Sequence, residues 1–233
     1  MTGLRALALD FGGTLARPGP STDGRTVAKA LRELPGAVVP ERFAETFDAV
    51  ARRMRRADRE GSRQTPFPRQ LGQTADECHA ILPDLVRAWE AVFTAVPDAD
   101  IDLDAARTLR ELHESGWVCV LACDTQRPEI VRRRTLQAAG ILDCFEALVL
   151  SSVVGVRKPH PAFFAAVAEA AGCLPGEILF VGDTRAKDVV APIEYGMRAV
   201  LVAADRPTNL DPSILVIRHL AELPSQLEAL DDR

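Results

Sequence analysis

The chain predicts an α/β protein in which a parallel sheet is covered by helices on both faces and interrupted by an inserted helical segment. Three observations carry this expectation. From about residue 102 onward, short continuous apolar runs alternate with helical patterns, the mark of strands buried on both faces. Residues 17–98 break that alternation and read as helices alone. The first apolar run, ending at Leu9, leads straight into Asp10-Phe11-Gly12-Gly13-Thr14. A carboxylate at a strand's carboxyl end, beside a glycine turn, is where open α/β sheets place their chemistry.

Taken in order, the first strand covers residues 4–9, and helices follow over 26–34, 41–60 and 75–96, the last broken at Pro83. In the second of these, Phe43, Phe47, Val50 and Met54 recur at helical spacing and form one apolar stripe. Turn-forming residues between Gly61 and Gly72 predict a loop. The alternating part begins with a helix over 104–115 closed by Gly116, a buried strand over 117–122, and a helix over 128–139 stopped by Gly140. A strand over 147–150, a helix over 161–171, a strand over 178–181 and a helix to Gly196 come next, then strands over 199–202 and 214–217. The expected architecture is a Rossmann-like three-layer core of residues 1–16 and 99–233, with 17–98 as an inserted α-helical cap.

Bulk properties narrow the function. A length of 233 residues fits one generous domain or a core with a large insertion. A net charge of −5 argues against a nucleic-acid binder, and no polybasic tail offers itself to a membrane. Cys78, Cys119, Cys123, Cys144 and Cys173 are odd in number and lack a C-x-x-C spacing, so they read as reduced thiols. The N-terminal apolar stretch is too short for a signal peptide, and no run reaches the roughly 18 apolar residues of a membrane span. The expectation is a cytoplasmic protein, monomer or homodimer.

Three groups of residues fall at predicted strand ends or in the loops after them: Asp10 with its glycine turn, Lys158 in Gly155-Val156-Arg157-Lys158-Pro159, and the segment from Gly182 to Asp188. In a parallel sheet these loops converge on one crevice. Asp10 and Asp183 can there share a Mg²⁺, a hard cation that takes carboxylate, carbonyl and water oxygens. Lys158 can supply positive charge to a transferring phosphoryl group. Singly, each has a plainer reading as a helix cap or a surface charge. Jointly they do not, because the chain has three lysines in all and one stands at this place.

The wording D-F-G-G-T-L, G-V-R-K-P-H-P and F-V-G-D-T-R-A-K-D, followed by G-M-R-A-V, resembles the haloacid dehalogenase (HAD) superfamily. The likeness spans the chain and is nearest to the phosphatase-like subfamily with a helical cap after the first strand. It implies a hydrolase acting on a small, anionic, phosphorylated metabolite. Asp10 would be the nucleophile that forms an aspartyl-phosphate and a ligand to Mg²⁺, with the Gly12 carbonyl and Asp183 as further ligands. Asp188 would bind the metal through water or orient Lys158, and Lys158 would neutralise the nucleophile and the phosphoryl oxygens.

Two departures stand out. Phosphatases of the family carry Asp where this chain has Gly12, and that Asp protonates the leaving oxygen; its loss removes a factor of roughly 10²–10⁴. The second motif ends in Cys123-Asp124 instead of Ser or Thr followed by Asn. These two residues would meet the substrate phosphate, where a thiol is a weak donor and a carboxylate repels. Cys123 as the nucleophile is disfavoured, since no His adjoins it in sequence and Asp10 fills that role. Asp23, His79 and Asp124 are candidates for a replacement acid. The alternatives are a HAD-fold protein that binds metal or ligand with little turnover, and a dehalogenase-like hydrolase, in which halide leaves without protonation. A phosphonatase would need a cap lysine, and Lys29 lies too early in the cap to serve. The arginines at 52, 53, 55, 56 and 59, like Arg132 to Arg134, read as solvated faces, though an inward-pointing arginine would suit an anion. His160 reads as a loop residue.

Overall fold

The computed structural model describes residues 3–231. Strand β1 (Ala6–Leu9) leads through the short strand β2 (Ala16–Arg17) into helices α1 (Gly24–Arg32), α2 (Phe43–Glu60), α3 (Phe67–Cys78) and α4 (Leu85–Ala95). Strand β3 (Asp100–Ile101) returns the chain to α5 (Leu103–Glu114), β4 (Val118–Cys123), α6 (Glu129–Ala138) and β5 (Ala147–Leu150). The short helix α7 (Ser151–Val154), then α8 (Pro161–Ala171), β6 (Ile178–Gly182), α9 (Ala191–Glu194), β7 (Arg198–Val202), β8 (Leu215–Ile217) and α10 (Leu223–Asp231) complete the order.

Six strands form one sheet in the order β5-β4-β1-β6-β7-β8, parallel throughout. The chain fills one side of β1 with β4 and β5, then crosses to the other side with β6. Such a reversal opens a crevice at the strands' carboxyl ends, and Asp10 follows β1 at that point. Successive β1 side chains face opposite layers. Leu7 and Leu9 pack with Leu109 and Leu112 of α5, while Ala6 and Ala8 pack with Phe163, Phe164 and Val167 of α8.

Helices α1 to α4 share an apolar core centred on Val27, Leu31, Phe43, Phe47, Phe67 and Phe93, which Val131 of α6 joins. Several details refine or differ from the sequence reading. Helix α3 begins at Phe67, inside the stretch expected to be loop, because Pro68 sits in its first turn, where a missing N–H costs nothing. That helix ends at His79 in the left-handed region, and α4 starts afresh behind an Asp84 cap that accepts from Val86 and Arg87 N–H. The expected helix after β6 is a π-helical turn, Arg185–Val190, running into α9. The two-residue antiparallel pair of β2 and β3 is too short to leave a sequence pattern.

The joint between helices and sheet is ionic. Arg127 donates to the Phe93, Val96 and Pro97 carbonyls at the end of α4 and pairs with Asp98 at 2.9 Å. Arg132 pairs with the other Asp98 oxygen at 3.0 Å and lies 3.6 Å from the centroid of the Phe11 ring. Arg132, expected on a solvated face, is 3% exposed. Among the described residues, no helix is long and apolar enough to cross a membrane. Removing the carboxylate that two buried guanidinium groups share leaves both charges uncompensated, so Asp98→Ala is expected to cost about 3–5 kcal/mol. Urea denaturation measures this, and a loss under about 1 kcal/mol would show that the pairs contribute no more than exposed ones.

Candidate active site

Asp10, Lys158 and the pair Asp183 and Asp188 come together from three separate loops. Lys158 Nζ lies 2.7 Å from Asp10 Oδ1 and 2.7 Å from Asp188 Oδ1, and donates to the Ala122 carbonyl at 3.0 Å. The side chain is 2% exposed. Burial alone would discharge it, but Asp10 and Asp188 outweigh burial and push its pKa upward. Asp188 spends its second oxygen on the Thr184 N–H at 2.9 Å, which fixes the carboxylate that fixes Lys158. Asp10 is shifted the other way from an ordinary paired acid. Burial raises its pKa to about 6, Lys158 opposes the rise, and Asp188 adds to it.

One oxygen each of Asp10, Asp183 and Asp188 lies within 4.8 Å of the others. Gly13, at φ +81°, lies so close to Asp183 that any Cβ there would fall inside the carboxylate. Only glycine permits both that backbone and that approach. Such oxygen donors around a small space suit a hard cation. At Gly12, by contrast, a Cβ would meet nothing nearer than Pro18 Cγ at 3.7 Å. The backbone there accepts a side chain that the sequence does not supply.

The second-motif loop is arranged differently from the expectation of a bare repelling charge. Asp124 accepts from the Lys158 backbone N–H at 3.0 Å, pairs with Lys187 Nζ at 3.0 Å and has Arg157 at 3.7 Å. Two cations therefore face one carboxylate. Lys187 was not singled out by the sequence, where it reads as an ordinary helix residue. Cys123 is buried, its pKa is pushed up to about 12 chiefly by that burial, and its thiol lies 3.6 Å from the Asp124 carbonyl. A neutral thiol so placed is no nucleophile.

The other acid candidates lie elsewhere. Asp23 caps α1 through the Thr26 N–H, its pKa is lowered by the Thr26 side chain and N–H, and His79 closes α3. His160 caps α8 by accepting from Ala162 N–H. Lys29 stands in the last turn of α1.

A family model for haloacid dehalogenase-like hydrolases matches residues 4–196. The chain belongs to that family. Among HAD relatives, it is 34% identical over 165 residues to a phosphoglycolate phosphatase of Cereibacter sphaeroides, covering 68% of this chain and 72% of the relative. A phosphoglycolate phosphatase of Pectobacterium atrosepticum is 28% identical over 205 residues, 86% of this chain and 80% of the relative. A 2-haloacid dehalogenase from Pseudomonas syringae shares the fold with a TM-score of 0.73, at 18% identity and 97% and 99% coverage of the two chains. The protein is thus a HAD hydrolase whose sequence relatives are phosphatases.

The raised Asp10 pKa has a sign that can be tested. Its folded value of about 6 exceeds the ordinary 3.8, so the folded state holds the proton more tightly than the unfolded chain. The stability this contributes is complete below the unfolded value and is lost as pH rises through about 6. In metal-free protein, the stability of Asp10→Asn relative to wild type is therefore expected to be higher above about pH 6 than near pH 4, by at most about 3 kcal/mol, on top of a pH-independent cost of leaving Lys158 with Asp188 alone. Thermal melts at both ends of that window check it, and an unchanged difference between them would contradict the burial argument.

Proposed function

We propose that the protein is a Mg²⁺-dependent phosphomonoester hydrolase that works through an aspartyl-phosphate at Asp10. The observation that supports this best is the buried Lys158 ammonium, held between Asp10 and Asp188, beside a third carboxylate. One Asp10 oxygen attacks phosphorus, the bond to the substrate oxygen breaks, and the leaving oxygen departs as an alkoxide that takes its proton from water. Water then cleaves the acyl phosphate, returning the Asp10 carboxylate and releasing phosphate. Lys158 balances the charge on Asp10 and on the phosphoryl oxygens, and Asp188 keeps it in place. Asp10, Asp183 and the Gly12 carbonyl would hold the Mg²⁺, with Asp188 bound through water. Bound there, the ion supplies positive charge to the transferring phosphoryl group.

At the phosphate end, Asp124 gathers Lys187, Arg157 and the Lys158 N–H, and Cys123 lines the same turn. Residues 17–98 act as the cap over a core of 1–16 and 99–233. No side chain stands at Gly12 to protonate the leaving oxygen, so turnover depends on how readily the alcohol leaves. Gly12 also favours a second reading, displacement at carbon with halide as the leaving group, which needs no proton.

Phosphate release from an aryl phosphate is expected to require Mg²⁺ and to vanish in Asp10→Asn. Chloride release from a 2-chloro acid without metal would favour the second reading instead. A Cβ at Gly12 would make only ordinary contact with Pro18, which makes a further outcome specific. Gly12→Asp is expected to raise turnover of alkyl phosphates by about 10²–10⁴-fold while changing activated aryl phosphates little. Steady-state rates on the two substrate classes check this, and an equal effect on both would contradict the missing-acid account.

A further inference from the structure

Beside the acid cluster, a cavity of about 290 Å³ opens between α2, α3, α4 and the loop after β4. Lys158 joins the two places, its N–H held by Asp124 on the cavity wall and its ammonium by Asp10. One wall is aromatic. Phe67 lies 5.7 Å from Phe47 and 4.8 Å from Phe93, centroid to centroid. The rest of the lining includes the amides of Gln64 and Gln70, which are 8% and 7% exposed.

Buried amides are ordinarily paired, and these are not fully so. Gln64 Oε1 takes the Ser151 hydroxyl at 3.3 Å, leaving its NH₂ without a partner among the described residues. The Gln70 side chain has no hydrogen bond to any described residue, although its backbone carbonyl takes the Thr74 hydroxyl. Gln126 Oε1, on the same lining, is buried without a partner among the described residues. The free groups thus include donors from Gln64 and Gln70 and acceptors from Gln70 and Gln126. Charges on the lining balance, with Arg55 and Arg157 set against Asp58 and Asp124. A carboxylate ligand would answer the donors, leave Gln70 Oε1 unpaired and add a negative charge beside two acids. A hydroxyl answers both kinds of group, and its carbon-bound hydrogens can lie on the aromatic wall.

We infer that this cavity takes the organic part of the substrate, and that this part is a neutral polyhydroxylated chain or ring, with Gln70 as a specificity-determining residue. The volume equals that of about ten water molecules, enough for about six carbons with their hydroxyls. The inference rests on the phosphohydrolase reading for the place of the phosphoryl group.

Calorimetric titration of the Asp10→Asn protein with Mg²⁺ separates the two claims, because binding is read without turnover. The probes are sorbitol 6-phosphate, hexyl phosphate and 6-(phosphonooxy)hexanoate, which share a chain length and differ in hydroxyls and charge. Sorbitol 6-phosphate is expected to bind about tenfold tighter than either. In the added variant Gln70→Met, nearly the same in shape, that preference is expected to fall to about threefold or less with hexyl phosphate unchanged. Equal binding of the three, tighter binding of hexyl phosphate or of the carboxylate, a preference that survives Gln70→Met, or no binding by any probe overturns the inference. Should Gln70→Met fail to fold, the comparison in the Asp10→Asn background decides alone. Selective binding without Mg²⁺-dependent phosphate release by the wild type would sustain the inference and remove the phosphatase reading.

Discussion

An ammonium group taken out of water is tolerated only with charge around it, and the site is organised by that requirement. Lys158 is buried at the meeting of three strand-end loops, so Asp10 and Asp188 must both reach it. Asp188 in turn must be held by Thr184 N–H, which fixes the start of the π-helical turn. The carbonyl of Ala122 completes the shell from β4. A single cation therefore sets the relative position of the turns after β1, β4 and β6. The same demand leaves Asp10 in an uncomfortable place, buried beside a like charge. The strain of that arrangement falls on the group proposed to do the chemistry.

In the proposed mechanism, the geometry around Asp10 separates charge handling from proton handling. Charge handling is intact: two carboxylates, a paired lysine and a third acid packed against Gly13. Proton handling at position 12 is absent, yet the backbone there is unobstructed. Asp124, which by sequence was one candidate substitute, is engaged with Lys187 and the Lys158 N–H. In the proposed mechanism it holds cations near the phosphate end and does not trade protons.

The parallel sheet was legible because buried strands carry continuous apolar runs, and strand ends could be placed to within a residue or two. Asp10, Lys158, Asp183 and Asp188 were legible because residue type and strand-end position coincide. What escaped was set by contacts distant in sequence. Arg132 sits in a run of three arginines that looks solvated, and Asp98 and Phe11 pull it inside. Lys187 acquires its meaning from Asp124, sixty-three positions away. Gln64 and Gln70 lie in a stretch read as loop, and Gln64 is held by Ser151 and Gly155, far off in sequence.

Helix α4 closes on its own only through the Val96 N–H, which donates to Val92; the Phe93 carbonyl and the Val96 and Pro97 carbonyls just beyond the helix are answered by Arg127, which belongs to the loop before α6. The helical insertion is therefore not a portable module. Transplanted onto another sheet of the same fold, it would arrive with its last turn unsatisfied, unless the recipient placed an arginine at the same point. Exchange of such insertions between related proteins has to carry a piece of the acceptor with it, and the boundary of the unit that can be inherited lies beyond the boundary of the helices.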